Sequence, residues 1–265
     1  MDEPIAHIEV RGLELAYGSF VVMRDLNCQV RRREVFVIIG SSGCGKSTLL
    51  RQMVGLKPTR KGDILYEGMS LPRASSAERK TLTRKFGVLF QSNALWSTLT
   101  VAENVALPLE QHTRLSAAHI SELVRLKLAW VGLRGFEDLY PAELSGGMAK
   151  RAGLARALAM DPEILFFDEP SAGLDPVTAR RLDELILQLR DNLDTTVVVV
   201  THELTSIFRI ADQAVFLNAQ ARTMTAVGRP EQLLQEAEDP AVREFLSGGD
   251  SSVSRTVQPH PLEHP

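Results

Sequence analysis

The sequence is short of several things, and each shortage removes a class of protein. Only two cysteines, Cys28 and Cys44, occur in 265 residues. That is too few for a disulfide scaffold. Cys44 also lies inside a glycine-rich loop that a disulfide would pin, so both are expected as free thiols in a reducing compartment. The longest apolar runs, VFVII (35–39) and VVVV (197–200), are far too short to span a bilayer. The opening MDEPIAHIEV is acidic and lacks the apolar core of a secretory signal. Charge of one sign is also scarce: 30 Lys and Arg stand against 33 Asp and Glu, for a net −3. No block of like charge forms a binding tail, and a general nucleic-acid binder is not expected. The short RRR at 31–33 reads as a solvated turn, and no internal repeat is visible. What remains, 44% hydrophobic and 24% charged, suits one large soluble domain or two small ones. Any role at a membrane is then delegated to a partner.

Along the chain, Ile8, Val10, Leu13 and Leu15 alternate with polar residues, and VVMRDLNCQV (21–30) follows; both read as half-buried antiparallel strands. EVFVIIG (34–40) is apolar nearly throughout and reads as a strand buried on both faces. It runs straight into GSSGCGKST (40–48) and a helix, TLLRQMVG, closed by Gly55. KPTRKGD (57–63) is turn chemistry, and ILYEG and KFGVLFQ read as strands. Residues from about 92 to 160 are expected to be mostly helical. SAAHISELVRLKLAWVG has a serine cap, an apolar face and a terminal glycine, and GMAKRAGLARALAM looks like a second helix. From 163 buried strands (EILFFDE, TTVVVVTH, QAVFLN) alternate with helices (PVTARRLDELILQLRDNL, LTSIFRIA), which predicts a parallel sheet covered on both sides. RPEQLLQEA closes the fold, and the Ser-, Gly- and Pro-rich segment 247–265 is expected to be a disordered tail.

The loop Gly40-Ser41-Ser42-Gly43-Cys44-Gly45-Lys46-Ser47-Thr48 fits the phosphate-binding pattern G-x-x-x-x-G-K-[ST]. Its glycines let successive N–H groups turn inward, Lys46 adds charge near the β and γ oxygens, and Ser47 can ligate Mg²⁺. Asp168 and Glu169 end a buried strand, which delivers them to the crevice where that loop opens. Asp168 suits Mg²⁺, and Glu169 suits polarisation of an attacking water. His202 follows another buried strand and is placed to bond a γ-phosphate and hold Glu169 and the water. Gln91 ends KFGVLFQ, and its amide can touch metal or water. Ser145, Gly146 and Gly147 open a helix and form a second anion site.

Together these residues resemble the ATP-binding-cassette ATPases. The Walker A loop (40–48), Gln91, LSGGM (144–148), ILFFDE (164–169), SAGLD (171–175) and His202 occur in that family's order, and the likeness covers about 5–245. It implies an α/β P-loop NTPase with a parallel core sheet, an N-terminal antiparallel β-subdomain and a helical subdomain. The domain would run over 5–246, with the helical subdomain at about 92–160. It also implies that Tyr17 stacks on adenine, that Asp175 belongs to the nucleotide site, and that two copies sandwich ATP with Mg²⁺ between the loop of one and LSGG of the other. Met148 departs from the family's usual glutamine. The stretches 86–116 and 144–176 resemble the ATPases of Mce- and Mla-type lipid-asymmetry transporters. That finer likeness implies an integral permease, an Mce-domain lipid-binding protein and a place on the cytoplasmic side of the inner membrane, and leaves open a small regulatory subunit. Leu95, Trp96 and Leu99 would then line the permease groove, with core packing as the rival reading. Still open at this point are an importer of amino acids, ions or other small solutes, a non-transport cassette protein, and a small-molecule kinase.

Overall fold

The computed structural model describes residues 6–92 and 94–249. In chain order, β1 (Ile8–Tyr17) and β2 (Phe20–Val30) form a hairpin, and β3 (Val35–Gly40) leads into α1 (Lys46–Met53). Then come β4 (Asp63–Tyr66), β5 (Met69–Ser70), α2 (Ser76–Thr83) and β6 (Phe86–Leu89). Three helices, α3 (Val101–His112), α4 (Ala117–Trp130) and α5 (Gly146–Ala157), separate β6 from β7 (Ile164–Asp168). The rest alternates: α6 (Pro176–Leu193), β8 (Thr196–Val200), α7 (Leu204–Ile210), β9 (Gln213–Asn218), β10 (Thr223–Gly228), α8 (Pro230–Glu236) and α9 (Pro240–Leu246).

The strands form two sheets. One is antiparallel, in the order β2-β1-β4-β5. The other runs β10-β9-β3-β8-β7-β6, parallel except for β10 on its edge. The uninterrupted apolar strands sit in the middle of the second sheet because both of their faces are covered. Successive side chains point to opposite faces, so each strand feeds two cores. Val35, Val37, Ile39, Leu165, Phe167, Val197 and Val199 pack with α3, α4, α5 and α6. Phe36, Ile38, Phe166, Val198 and Val200 pack with Leu49, Leu50 and Met53 of α1 and with Ile8, Leu13, Leu15 and Leu26 of the antiparallel sheet. Between β6 and α5 the backbones come so close that a Cβ on Gly87 would lie 2.3 Å from the Ala157 carbonyl oxygen.

Four elements lie outside what the sequence pattern predicts, the two-residue β5 among them. Helix α2 has a complete capping box between Ser75 and Glu78 but buries only Leu82, so it has no apolar stripe to betray it. Strand β10 lies half-buried on a sheet edge, and its burial alternates only between intermediate and exposed positions. Helix α9 has an Asp239 cap and Pro240 in its first turn, yet it is only seven residues long. Two strand ends also fall short of the expected ones: β6 stops at Leu89, two residues before Gln91, and β8 stops at Val200, two before His202. Ser247–Gly249 finish α9 in a turn, and the remainder of the expected tail lies outside the described residues.

Candidate nucleotide site

The carboxyl ends of β3, β7 and β8 meet at one edge of the parallel sheet. Gly40 ends β3 with φ +144°, and a Cβ there would lie 2.4 Å from the Leu217 carbonyl oxygen, so only glycine fits. The loop then turns into α1. Its N-cap is Gly45 (φ 109°), which has no side chain to satisfy the first-turn N–H groups. Those donors and the helix dipole stay available to an anion. Lys46 Nζ donates to the carbonyl oxygens of Gly40 (2.8 Å) and Ser41 (3.0 Å), which holds the ammonium at the mouth of the loop. The Ser47 hydroxyl donates to Asp168 Oδ1 at 2.8 Å.

Opposite the loop, Glu169 leaves β7 with φ +52°, an uncommon conformation for a residue with a side chain. Its N–H donates to the Val200 carbonyl oxygen at 2.9 Å, which keeps that backbone in place. The buried carboxylate faces His202, whose Nδ1 lies 2.9 Å from Glu169 Oε1. A cleft of about 570 Å³ is lined by Gly40–Gly43, Gly45–Thr48, Tyr17, Gln91, Glu169 and His202. Tyr17 is 54% exposed, and its phenol oxygen lies 2.5 Å from Thr48 Oγ1. The Thr48 hydroxyl, with Lys57 close by, holds that phenol below its ordinary range. Val22 and Phe245 also line the cleft, and neither is legible in the sequence. Phe245 reaches it from α9, packed edge-on against Phe216 with ring centroids 5.6 Å apart. The Asp-Pro pair at 239–240 signals that helix, but nothing local signals where it docks.

Other predicted residues lie elsewhere. The Cys44 thiol is buried in the core, where burial pushes its pKa up, and Cys44 does not line the cleft. Asp168 stands behind Ser47. Ser145, Gly146, Gly147 and Asp175 do not line the cleft. Ser145 caps α5 by accepting the Met148 N–H at 3.2 Å. Asp175 caps α6, accepting from the N–H groups of Val177 (3.0 Å) and Thr178 (3.1 Å). The two caps are neighbours, since a Cβ on Gly147 would lie 3.5 Å from Leu174 and 3.7 Å from Thr178. Lys150, on α5, ties this surface to the cleft. Its Nζ donates to the Glu169 carbonyl oxygen at 3.4 Å and to that of Ala172, and burial lowers its pKa.

A third surface surrounds Trp96. Asn104 is fully buried and staples the loop before α3: it accepts the Trp96 N–H (2.8 Å) and donates to the carbonyl oxygens of Trp96 (3.0 Å), Leu99 (3.1 Å) and Thr100 (2.9 Å). Leu95 packs against the core, whereas the Trp96 side chain is 63% exposed on this fixed loop.

The chain as a whole is similar to known proteins. A family model described as ABC transporter matches residues 23–172. The intermembrane phospholipid transport system ATP-binding protein MlaF of Haemophilus influenzae is 40% identical over 95% of this chain and 94% of its own. A protein of Mycobacterium tuberculosis, named as the probable ribonucleotide transport ATP-binding protein mkl, is 39% identical over 91% of this chain and 66% of its own. Among solved structures, a dimeric post-hydrolysis ATP-binding cassette bound to ADP and Pi superposes with a TM-score of 0.78 at 27% identity, covering 84% of this chain and 98% of that one.

Proposed function

This chain belongs to the ABC transporter family of ATP-binding proteins, and we propose that it is the ATP-hydrolysing subunit of a complex in which a separate membrane permease moves phospholipid or another hydrophobic molecule. The observation that carries the chemistry is the Glu169–His202 pair, 2.9 Å apart, facing the open N-terminus of α1. In this reading the loop N–H groups and Lys46 bind the phosphates, and the Tyr17 ring stacks on the base. Glu169 polarises the attacking water, and His202 orients both it and the γ-phosphate. The hydroxyl of Ser47, the amide of Gln91 and the carboxylate of Asp168 form an all-oxygen donor set suited to Mg²⁺, which when bound neutralises charge on the β- and γ-phosphates. Ser145, Gly146, Gly147 and Asp175 serve the ATP of a second copy, since they lie outside their own chain's cleft.

No helix among the described residues is long and apolar enough to cross a membrane. Attachment through a permease on the cytoplasmic side of the inner membrane is part of the proposal, with Trp96 as the exposed contact. So are an Mce-domain lipid-binding protein and a small regulatory subunit as further members of the complex, with no role for nucleic acid. The cargo assignment is supported by the likeness to MlaF over almost the full length of both chains. The mycobacterial relatives carry a ribonucleotide name instead, so a polar solute is the second reading. The test is reconstitution. The complex, captured from membranes through a tag on this chain, is placed in vesicles with a fluorescent phospholipid and ATP. ATP-dependent movement of the lipid, lost in Glu169→Gln, is expected. Movement of a small polar solute with the lipid left in place would transfer the assignment to the second reading.

A further inference from the structure

Lys57 has no part in the phosphate or metal chemistry, yet it is placed with care. It follows the glycine turn that ends α1: Gly55 adopts φ +76°, and the N–H groups of Leu56 and Lys57 both return to the Arg51 carbonyl oxygen, at 2.9 and 3.1 Å. This cap delivers the side chain to Tyr17, where Nζ lies 3.1 Å from the ring centroid. The ammonium is shielded from solvent, and the group it meets there is Tyr17, whose ring it overlies and whose phenol it also favours in the ionised form. A desolvated charge without a partner is costly, and here the ring face is its partner. Tyr17 lines the nucleotide cleft and Lys57 does not, and the ammonium is taken to cover the face of the ring turned away from the cleft. The Thr48 hydroxyl fixes the ring at its other end, 2.5 Å from the phenol oxygen.

We propose that Lys57 is a positioning residue of the nucleotide site, charging and bracing the rear face of the aromatic plate on which the base stacks. The proposal rests on the reading of Tyr17 as that plate. A cation on one face draws π density away from the other, which lowers the repulsion between the ring and an electron-rich purine. A plate already held over one face and at its hydroxyl also loses less freedom when the base arrives. Stacking tolerates any base, so the effect covers ATP and GTP alike and spares a ligand that has no base.

Calorimetric titration of the full chain with the magnesium complexes of ATP, GTP and inorganic tripolyphosphate tests this. Lys57→Met is expected to weaken both nucleotides about five- to tenfold while changing tripolyphosphate by less than about twofold. Lys57→Arg should restore most of the loss, because a guanidinium also stacks on a ring. Tyr17→Ala should weaken the nucleotides at least as much, and adding Lys57→Met to it should cost nothing more. Normal nucleotide affinity in Lys57→Met beside a weakened Tyr17→Ala overturns the role of Lys57 and leaves the stack standing. Normal affinity in Tyr17→Ala overturns the stack and this proposal together. An equal loss for tripolyphosphate, or additive losses in the double variant, shows that Lys57 acts through the phosphates or the fold, and overturns it too.

Discussion

Two helices of this molecule begin in glycine-rich loops, α1 after Gly45 and α5 after Ser145, and they meet their surroundings differently. The start of α1 has no side-chain cap and is enclosed by Tyr17, Gln91, Glu169 and His202. The start of α5 is capped by its own serine, and Ser145 and Gly146 lie exposed, with no catalytic group of this chain before them. One helix N-terminus is a pocket and the other a bare surface. An anion held only by the second would sit in high dielectric and gain little. It gains once another molecule closes over it. On the proposed reading a single chain carries a whole binding site and half of a closing surface, and a cassette to which it is similar is dimeric.

The comparison can be broken or sharpened by substitution. The largest effect is expected from Glu169→Gln, which removes the proposed general base from the enclosed site: steady-state phosphate release should fall by about 10²–10⁴ while ATP still drives dimer formation in size-exclusion chromatography. Normal turnover in that variant would take Glu169 out of the chemistry. Next is Ser145→Arg on the bare surface. Hydrolysis should lose its rise with protein concentration and drop by about 10² or more, with the monomer's ATP affinity within about twofold of normal. A loss of monomer affinity would mean that LSGG serves its own chain's nucleotide, and the contrast between the two helices would collapse. Lys150→Met cuts the tie between the surfaces. It removes charged hydrogen bonds to the Glu169 and Ala172 carbonyl oxygens, so a loss of about 2 kcal/mol, or roughly 4–8 °C in melting temperature, is expected by calorimetry. The smallest effect belongs to Met148→Gln. The Met148 backbone makes the cap contact to Ser145, and the substitution leaves that backbone in place. ATPase rates within about threefold of the parent are expected.

Much of this arrangement is legible in the amino-acid order, and the reasons are local. VFVII, ILFFD and VVVV have no polar face, so they could only be central strands, and glycines at 40, 43 and 45 beside Lys46 describe the phosphate loop directly. The separation of Ser145 from the cleft is a different matter. Its spacing announces a helix start but not which way that start faces, and the family likeness had to supply the second copy. Lys57 and Phe245 were beyond reach for another reason. Their placements are long-range in the sequence: Lys57 overlies the Tyr17 ring and Phe245 lines the same cleft as Ser41, with no repeated pattern to mark either. Helix α2 buries only Leu82, too little to impose a period on its sequence, and β10 is a short edge strand with no fully buried residue.

The alternation of the central strands has a consequence for what can move. Phe36 and Ile38 belong to one core, and Val35, Val37 and Ile39 to the other. A strand displaced by one position would send its aromatic and branched side chains into the wrong compartment on both sides at once. Each central strand is thus indexed twice, and the two indices check each other. The tips that carry Gly40, Asp168 and the segment to His202 serve as a fixed datum. Whatever rearrangement ATP drives must be taken up by the helices and turns hung from that datum, and the sheet itself keeps the count.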